Sequence, residues 1–346
     1  MTAERWWELD ACPGCDGTAA ERLGRLPGDH YRFGGQHIVH PAGGVFLRRC
    51  RGCTLVYKGV VPSPSFFYRV MAEHAARVWA GRYSFRREAR LLRDTLGRSD
   101  FDLLDVGAGG GGLLRALGGS GRRSVLGPIP ADPARTGSIT DEFIWGFPDA
   151  PTLTWGGRPY DAVTLFDVLE QLYTPLQAVT NVAAFVKPGG LLLIETGDVE
   201  SAWPRRFGPQ VWWYANLFEH HVLWSELALR NLFPADGFEV VGVTRKRHKL
   251  KAELGWSKLA RDGLKAGLYR ASPWVYRRLS GGLGRSHLQP PDPLTHDHLQ
   301  VLLRRRAEAA SPAAADLAAP GDGRTRGPGP WQRGEAERVR VQGAAD

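Results

Sequence analysis

The stretch Phe101–Leu117, FDLLDVGAGGGGLLRAL, decides the fold. Its apolar start reads as a buried strand, its glycines as a turn and its Leu-Leu-x-x-Leu end as the opening of a helix, together the first half of a βαβ unit. Asp105 stands where a strand-end carboxylate can accept hydrogen bonds across the turn. Gly107, Gly109 and Gly111 let the backbone pass close to a ligand at a helix N-terminus. Such a turn also serves plain helix–strand packing, so these residues alone leave both readings open.

Upstream, apolar residues recur at helical spacing among arginines from Tyr83 to Leu96. Downstream, PYDAVTLFDVLEQL predicts a buried strand over Ala162–Phe166, closed by Asp167 and Glu170. VKPGGLLLIET predicts another over Leu191–Glu195, introduced by a Pro-Gly-Gly turn. FEHHVLWSELALRNLFPADGFEVVGVT then predicts a helix from Ser225, its N-cap, to about Phe233, and a strand over Phe238–Thr244. Strands that alternate with helices in this way build a parallel, doubly wound α/β sheet.

The chain is long enough, at 346 residues with 43% hydrophobic residues, for one full core plus a small module and tails. Its start, MTAERWWELDACP, has no apolar leader, and no stretch approaches the roughly 18 uncharged apolar residues of a membrane span. A cytoplasmic protein without a transmembrane segment is expected. The net charge is +9, yet between Arg245 and Arg306 there are 15 Lys and Arg against 4 Asp and Glu, so the rest of the chain carries about −2. The basicity belongs to one late segment.

The four cysteines, Cys12, Cys15, Cys50 and Cys53, form two Cys-x-x-Cys pairs, CPGC and CRGC, with 34 residues between them. Two such knuckles supply the four thiolates of a closed tetrahedral zinc site. Paired disulfides suit an oxidising compartment, and a redox motif needs a thioredoxin-like context absent here. His30, His37 and His40 lie between the knuckles and read as loop histidines. A zinc ion with four thiolates keeps no open position, so its role is structural.

DVGAGGGG, then FDVLEQL with Pro175 beyond it, VKPGGLLLIET, and EHHVLWS with DGFEVV resemble, in order and spacing, the class I S-adenosylmethionine-dependent methyltransferases. The resemblance is to the branch with an amino-terminal four-cysteine zinc ribbon followed by a Pro-x-Pro segment, here VPSPSFFY. It covers about residues 10–245, more weakly to 306. It implies a Rossmann-like seven-stranded α/β fold whose sixth strand is Phe238–Thr244 and whose antiparallel seventh starts at His298. The implied organisation is a zinc ribbon over 1–62, a methyltransferase domain over 63–306 with a basic helical insertion at 245–297, and a disordered tail over 307–346.

By the same resemblance, Gly107, Gly109 and Gly111 line the S-adenosylmethionine, with Asp105 supporting the turn. Phe166 and Asp167 approach its adenosine and methionine portions. In the family the second strand commonly ends Gly-x-Asp or Gly-x-Glu, and that carboxylate grips the ribose. In SVLGPIPADPA that position is Ile129, flanked by prolines that lack backbone donors, with Asp132 three residues on. Losing such a pair of bonds weakens binding by about 1.5–3 kcal/mol, which leaves open both an active enzyme and a binding or scaffold protein without turnover.

The implied activity is C-, O- or N-methylation of a small-molecule or sugar-nucleotide-like acceptor. His220 matches a family histidine, flanked by Glu219 and His221, and Glu170 follows the fourth strand. His220, Glu170 and His221 are the candidate catalytic residues, with His220 either removing the acceptor's proton or positioning a lid, and His221 at a usually apolar position. Gln171 stands where the family often has a histidine and cannot act as a base. Trp203, Phe207, Trp212, Trp213, Tyr214, Phe218 and Trp224 either wall a pocket or pack a lid on the sheet. In the basic insertion, Trp256, Leu259, Leu264 and Leu268 oppose Lys258, Arg261 and Lys265, the pattern of a cover helix or of peripheral membrane contact. The ribbon's mixed charge disfavours nucleic acid as a partner.

Overall fold

The computed structural model describes residues 5–78, 84–128, 140–151, 153, 157–232, 237–247, 256–280 and 296–307. Ile129, Asp132 and all but the first residue of the tail over 307–346 lie outside them.

The amino-terminal part is a set of short strands: β1 (Trp6–Glu8), β2 (Ala20–Arg25), β3 (His30–Phe33), β4 (Gln36–Val39), β5 (Phe46–Cys50), β6 (Val56–Lys58) and β7 (Val60–Pro62). The helices α1 (Pro64–Val78) and α2 (Arg86–Leu96) lead into β8 (Leu103–Val106), α3 (Gly112–Leu117), β9 (Arg123–Gly127), β10 (Glu142–Trp145) and β11 (Tyr160–Phe166). There follow α4 (Pro175–Ala184), β12 (Val186–Gly197), α5 (Ala202–Phe207), β13 (Val222–Leu223), α6 (Glu226–Leu232) and β14 (Phe238–Lys246). The helices α7 (Trp256–Ala271) and α8 (Pro273–Ser280) precede β15 (His298–Arg305).

Seven strands form the central sheet in the order β10-β9-β8-β11-β12-β15-β14. The first five run parallel, and β15 is antiparallel to both β12 and β14. This is the Rossmann-like seven-stranded arrangement expected from the motifs. The strands β8 and β11 are buried along their whole length, as a sheet covered on both faces requires. Each fully buried Leu, Val, Ile or Phe contributes about 1.5–3 kcal/mol, so the sheet and its two layers are the stable frame of the molecule.

One strand and one helix face differ most from the sequence reading. The strand expected over Leu191–Glu195 runs from Val186 to Gly197. A register shift against β11 absorbs the Pro-Gly-Gly segment, so it lies inside the strand and not before it. In α7 the expected apolar side is covered only in part: Leu264 is 75% exposed, while Leu268 joins Ala266 and Tyr269 in packing with Tyr276 against Trp203 of α5. Arg261 and Lys265 are exposed as expected, and the side chains of Trp256, Lys258 and Leu259 lie outside the described residues. Helical spacing alone does not settle which apolar residues are covered. Ser225 does cap α6, its Oγ accepting from the Ala228 amide at 3.1 Å.

The ribbon is joined to the rest by a shared sheet. The strand β13, from the segment after His221, pairs with β6 and completes the sheet β13-β6-β5-β2.

Candidate active site

Parallel register sets the site. Phe166 pairs with Glu195, and Gly197 pairs with His298, so Asp167, Thr196 and His298 meet at one edge of the sheet. The glycine turn lies beside them. Gly107, Gly109 and Gly111 have φ of 69°, 52° and 69°, and Gly111 caps α3 in the left-handed region. A Cβ on Gly107 would lie 2.7 Å from Val168 Cγ2, so only glycine brings this turn against the end of β11. A backbone cradle at a helix N-terminus fits an anionic or carboxylate-bearing ligand. The carboxylate of Asp105 is buried and accepts from Thr164 Oγ1 on the neighbouring strand at 2.7 Å. The ring of Phe166 stacks on Phe85 with centroids 5.6 Å apart.

Asp167 follows β11 with φ of 53°, a left-handed conformation rare outside glycine and tolerated best by Asp and Asn. Its carbonyl accepts from Gln171 Nε2 at 2.6 Å. Gln171, which has no acid–base role, thus braces the turn. Asp167 Oδ1 accepts from the Tyr214 hydroxyl at 3.3 Å and lies 3.6 Å from His298 Nε2. His298 Nδ1 donates to Asp297 Oδ1 at 2.9 Å, and Trp213 Nε1 donates to Asp297 Oδ2 at 3.1 Å.

Glu170 and His220 meet a few ångströms away. Glu170 is fully buried in the short helical turn Leu169–Gln171, and its Oε2 accepts from Thr196 Oγ1 at 2.8 Å. Its Oε1 lies 3.7 Å from His220 Nε2. His220 Nδ1 lies 3.0 Å from the Tyr214 carbonyl, which can only accept. The proton is therefore on Nδ1, and Nε2 presents its lone pair toward Glu170. Burial, with the charge of Asp167 adding to it, raises the Glu170 carboxyl to about 8. Burial lowers His220 to about 3, with Lys58 adding to the effect. At neutral pH the pair is a neutral imidazole facing a protonated carboxyl.

His221 points elsewhere. Its ring sits among Phe67 and Tyr173, with centroids 4.9 and 4.4 Å away. Its backbone bridges instead: its amide donates to the Glu170 carbonyl at 2.7 Å, and its carbonyl accepts from the Lys58 amide at 2.9 Å. Lys58 Nζ also donates to the Leu217 carbonyl at 2.6 Å. The ribbon thereby holds both ends of the 217–221 loop. Of the aromatics, Trp212, Tyr214, Phe218 and Trp224 are buried in packing, while Trp213 is half-buried and reaches Asp297. Gly197 is the imprint of this layer, since a Cβ there would strike Tyr214 and Trp212.

Asp297, His298 and Tyr214 as a polar partner were not named as site residues from the sequence. The available signal was the doubled histidine of HDHLQ at the start of an apolar strand, where a buried position seldom takes an ionisable residue without a partner.

The four cysteines come together, their sulfurs all within 4.8 Å of one another, and Cys12, Cys50 and Cys53 share one core cluster with Val168 and Leu169. Cys12 and Cys53 sulfurs are 3.5 Å apart, as are those of Cys15 and Cys50. The two knuckles match: Asp16 and Thr54, one residue after each pair, have φ of 58° and 68°. Their amides donate back to the carbonyls of Cys12 and Cys50 at 2.9 and 3.1 Å. Asn231 of α6 donates to the Cys53 carbonyl at 3.3 Å.

No described helix is long and apolar enough to cross a membrane. No curated protein matches the chain. Solved structures with a similar path include the N-methyltransferase NodS from Bradyrhizobium japonicum WM9, at 14% identity, TM-score 0.36, 64% of this chain and 94% of that one. The [4+2]-cyclase SpnF is similar at 16% identity, TM-score 0.46, 71% and 97%. Coclaurine N-methyltransferase is similar at 12% identity, TM-score 0.38, 63% and 69%. The family model of the methyltransferase domain matches residues 71–243, half of the chain. This stretch holds the glycine turn, Asp167, Glu170, Tyr214 and His220, and the chain belongs to that family: it is a class I S-adenosylmethionine-dependent methyltransferase.

Proposed function

We propose that this enzyme methylates a small-molecule acceptor, with sugar-nucleotide-like compounds as one fitting class, at an atom whose proton His220 accepts. The observation that carries the reading is the depth of the pair: His220 lies against Tyr214 in the loop that the ribbon holds, and Glu170 is fully buried beside it in the turn Leu169–Gln171. A base so enclosed suits a small acceptor better than a macromolecular one. S-adenosylmethionine supplies, when bound, a methyl group on a positively charged sulfur. Gly107, Gly109 and Gly111 would hold its amino-acid and ribose portions, Asp167 its methionine portion and Phe166 its adenosine.

The acceptor atom forms the new bond to the methyl carbon as the sulfur–carbon bond breaks, and S-adenosylhomocysteine leaves. The acceptor's proton passes to His220 Nε2. Once Glu170 is ionised, its carboxylate stabilises the imidazolium that results. Asp105 serves the turn by bracing β8 against β11. His221 serves by its backbone, with its ring as packing. Incubation with radiolabelled S-adenosylmethionine and a panel of small acceptors tests the reading. Label in a small product supports it, and label only in added RNA overturns it.

The cysteine cluster takes a structural zinc ion in the same proposal. Four thiolates around zinc at about 2.3 Å stand roughly 3.8 Å apart, close to the spacing of the two pairs. Matched knuckles with left-handed residues after each pair leave all four sulfurs convergent. Elemental analysis should find one zinc per chain, and a metal-free folded protein would overturn the assignment.

A further inference from the structure

The start of β15 carries a polar group that methyl transfer as described above does not use. His298 is 2% exposed, and it lies between two carboxylates from different parts of the chain, Asp297 beside it and Asp167 at the end of β11. Trp213 fixes the far oxygen of Asp297, and Tyr214 shares Oδ1 of Asp167. The ring of Trp213 is stacked over His298 at 6.3 Å, and that of Tyr214 meets it edge-on at 5.1 Å.

Burying an imidazole with two acids is costly unless each charge is matched. A strand that only had to close the sheet would carry an apolar residue here, as its neighbour Leu299 does. The side chain of Asp167 is the most exposed of the three, 24% against 8% for Asp297 and 2% for His298. Asp167 is therefore the face of the group toward the cleft, and the other two stand behind it. Its own backbone is in the left-handed region, so its direction depends on the side chains that hold it.

We propose that His298 and Asp297 are positioning residues that hold the Asp167 carboxylate ionised and aimed at the amino group of the methionine portion of S-adenosylmethionine. The inference rests on the reading that Asp167 lines the cofactor cleft. Protonated His298 donates through Nδ1 to Asp297 and places positive charge beside Asp167 Oδ1. The titratable groups around it are Asp167 just after β11, Asp297 just before its own strand, Lys246 as its register partner on β14, and Tyr214 and His220 from the loop above, with Glu170 behind His220. Burial lowers the histidine's proton affinity, but bonds to Asp167 and Asp297 outweigh that and raise it to about 9. The group is thus assembled throughout the neutral range.

The test is calorimetric binding of S-adenosylhomocysteine, which keeps the same amino group, to the full chain. Asp167→Asn should weaken binding about tenfold. His298→Asn and Asp297→Asn should each weaken it about three- to tenfold, and neither should weaken it further once Asp167 is Asn. The affinity of the wild type should fall above about pH 9, and in Asp297→Asn that fall should begin at lower pH. The ligand's own amine titrates identically in every case, so the difference between proteins is what is read. Wild-type affinity in Asp167→Asn would remove the reading that Asp167 lines the cleft. Weak binding in Asp167→Asn with wild-type affinity and an unshifted pH profile in both other variants would overturn the inference. If His298→Asn fails to fold, Asp297→Asn carries the test.

Discussion

The four-cysteine cluster and the carboxyl edge of the sheet are built by opposite means. Each cysteine knuckle is local: within five residues, a left-handed residue and a backbone bond turn two sulfurs to one point. The site at the sheet edge is assembled from Asp167, Glu170, Thr196, Tyr214, His220, Asp297 and His298, which only the strand register brings together. Local chemistry is written in short motifs, whereas a long-range site exists only after the fold does. The two regions are not independent, because β6 of the ribbon pairs with β13 and Lys58 holds the 217–221 loop.

The strongest way to break that link is Cys50→Ser. Structural zinc in small modules contributes on the order of 10 kcal/mol, so the variant should lose its metal and the ribbon should unfold. Turnover should be lost with it, since β6 no longer supports β13. Retained turnover, followed alongside zinc content and far-ultraviolet dichroism, would show the regions to be independent. Next in size, His220→Asn should lower kcat by about a hundredfold or more while leaving S-adenosylhomocysteine affinity near that of the wild type. A kcat within a factor of two would assign His220 to positioning a lid.

The pH dependence separates the two members of the pair. Because Glu170 is raised to about 8, kcat should climb as pH rises through 8, and Glu170→Gln should flatten the profile. Stability runs the other way. The folded chain keeps a proton on Glu170 up to about pH 8 that the unfolded chain releases near 4.5, so this contribution is present below 4.5 and lost as pH rises through 8. His220 is neutral when folded down to about pH 3 and near 6.5 when unfolded, so its contribution is present above 6.5 and lost as pH falls toward 3. Thermal melts of the wild type and Glu170→Gln from pH 5 to 8 should diverge, the wild type declining more steeply. The smallest effect is Tyr214→Phe, which removes one hydroxyl from Asp167 and should cost about 0.5–1.5 kcal/mol of stability. An unchanged melting temperature would make that contact incidental.

Much of the frame was legible because it is written in local chemistry. The run Phe101–Leu117 requires a strand, a left-handed glycine turn and a helix, and the apolar segments after it require a covered sheet. The convergence of the four cysteines was legible from their spacing, and Glu170 and His220 were singled out as candidates before the structure brought them together. Asp297 and His298 were not, since nothing near them shows that Asp167, 130 residues earlier, faces them across β12. Leu264 of α7 was read as covered and is exposed, because which apolar residues of a helix are buried is settled only by what it packs on. His221 was grouped with His220 by adjacency, yet its ring packs on Phe67 and Tyr173 while that of His220 packs on Tyr214.

Calorimetric titration of S-adenosylhomocysteine into the full chain tests the central claim most directly, with Gly107→Ala as its partner experiment. The wild type should bind one ligand per chain with saturable heat, and Gly107→Ala should bind at least about tenfold more weakly, because its Cβ would press on Val168 in a left-handed turn. No binding at millimolar ligand, or equal affinity in the two proteins, would contradict the assignment of this glycine turn to the methyl donor.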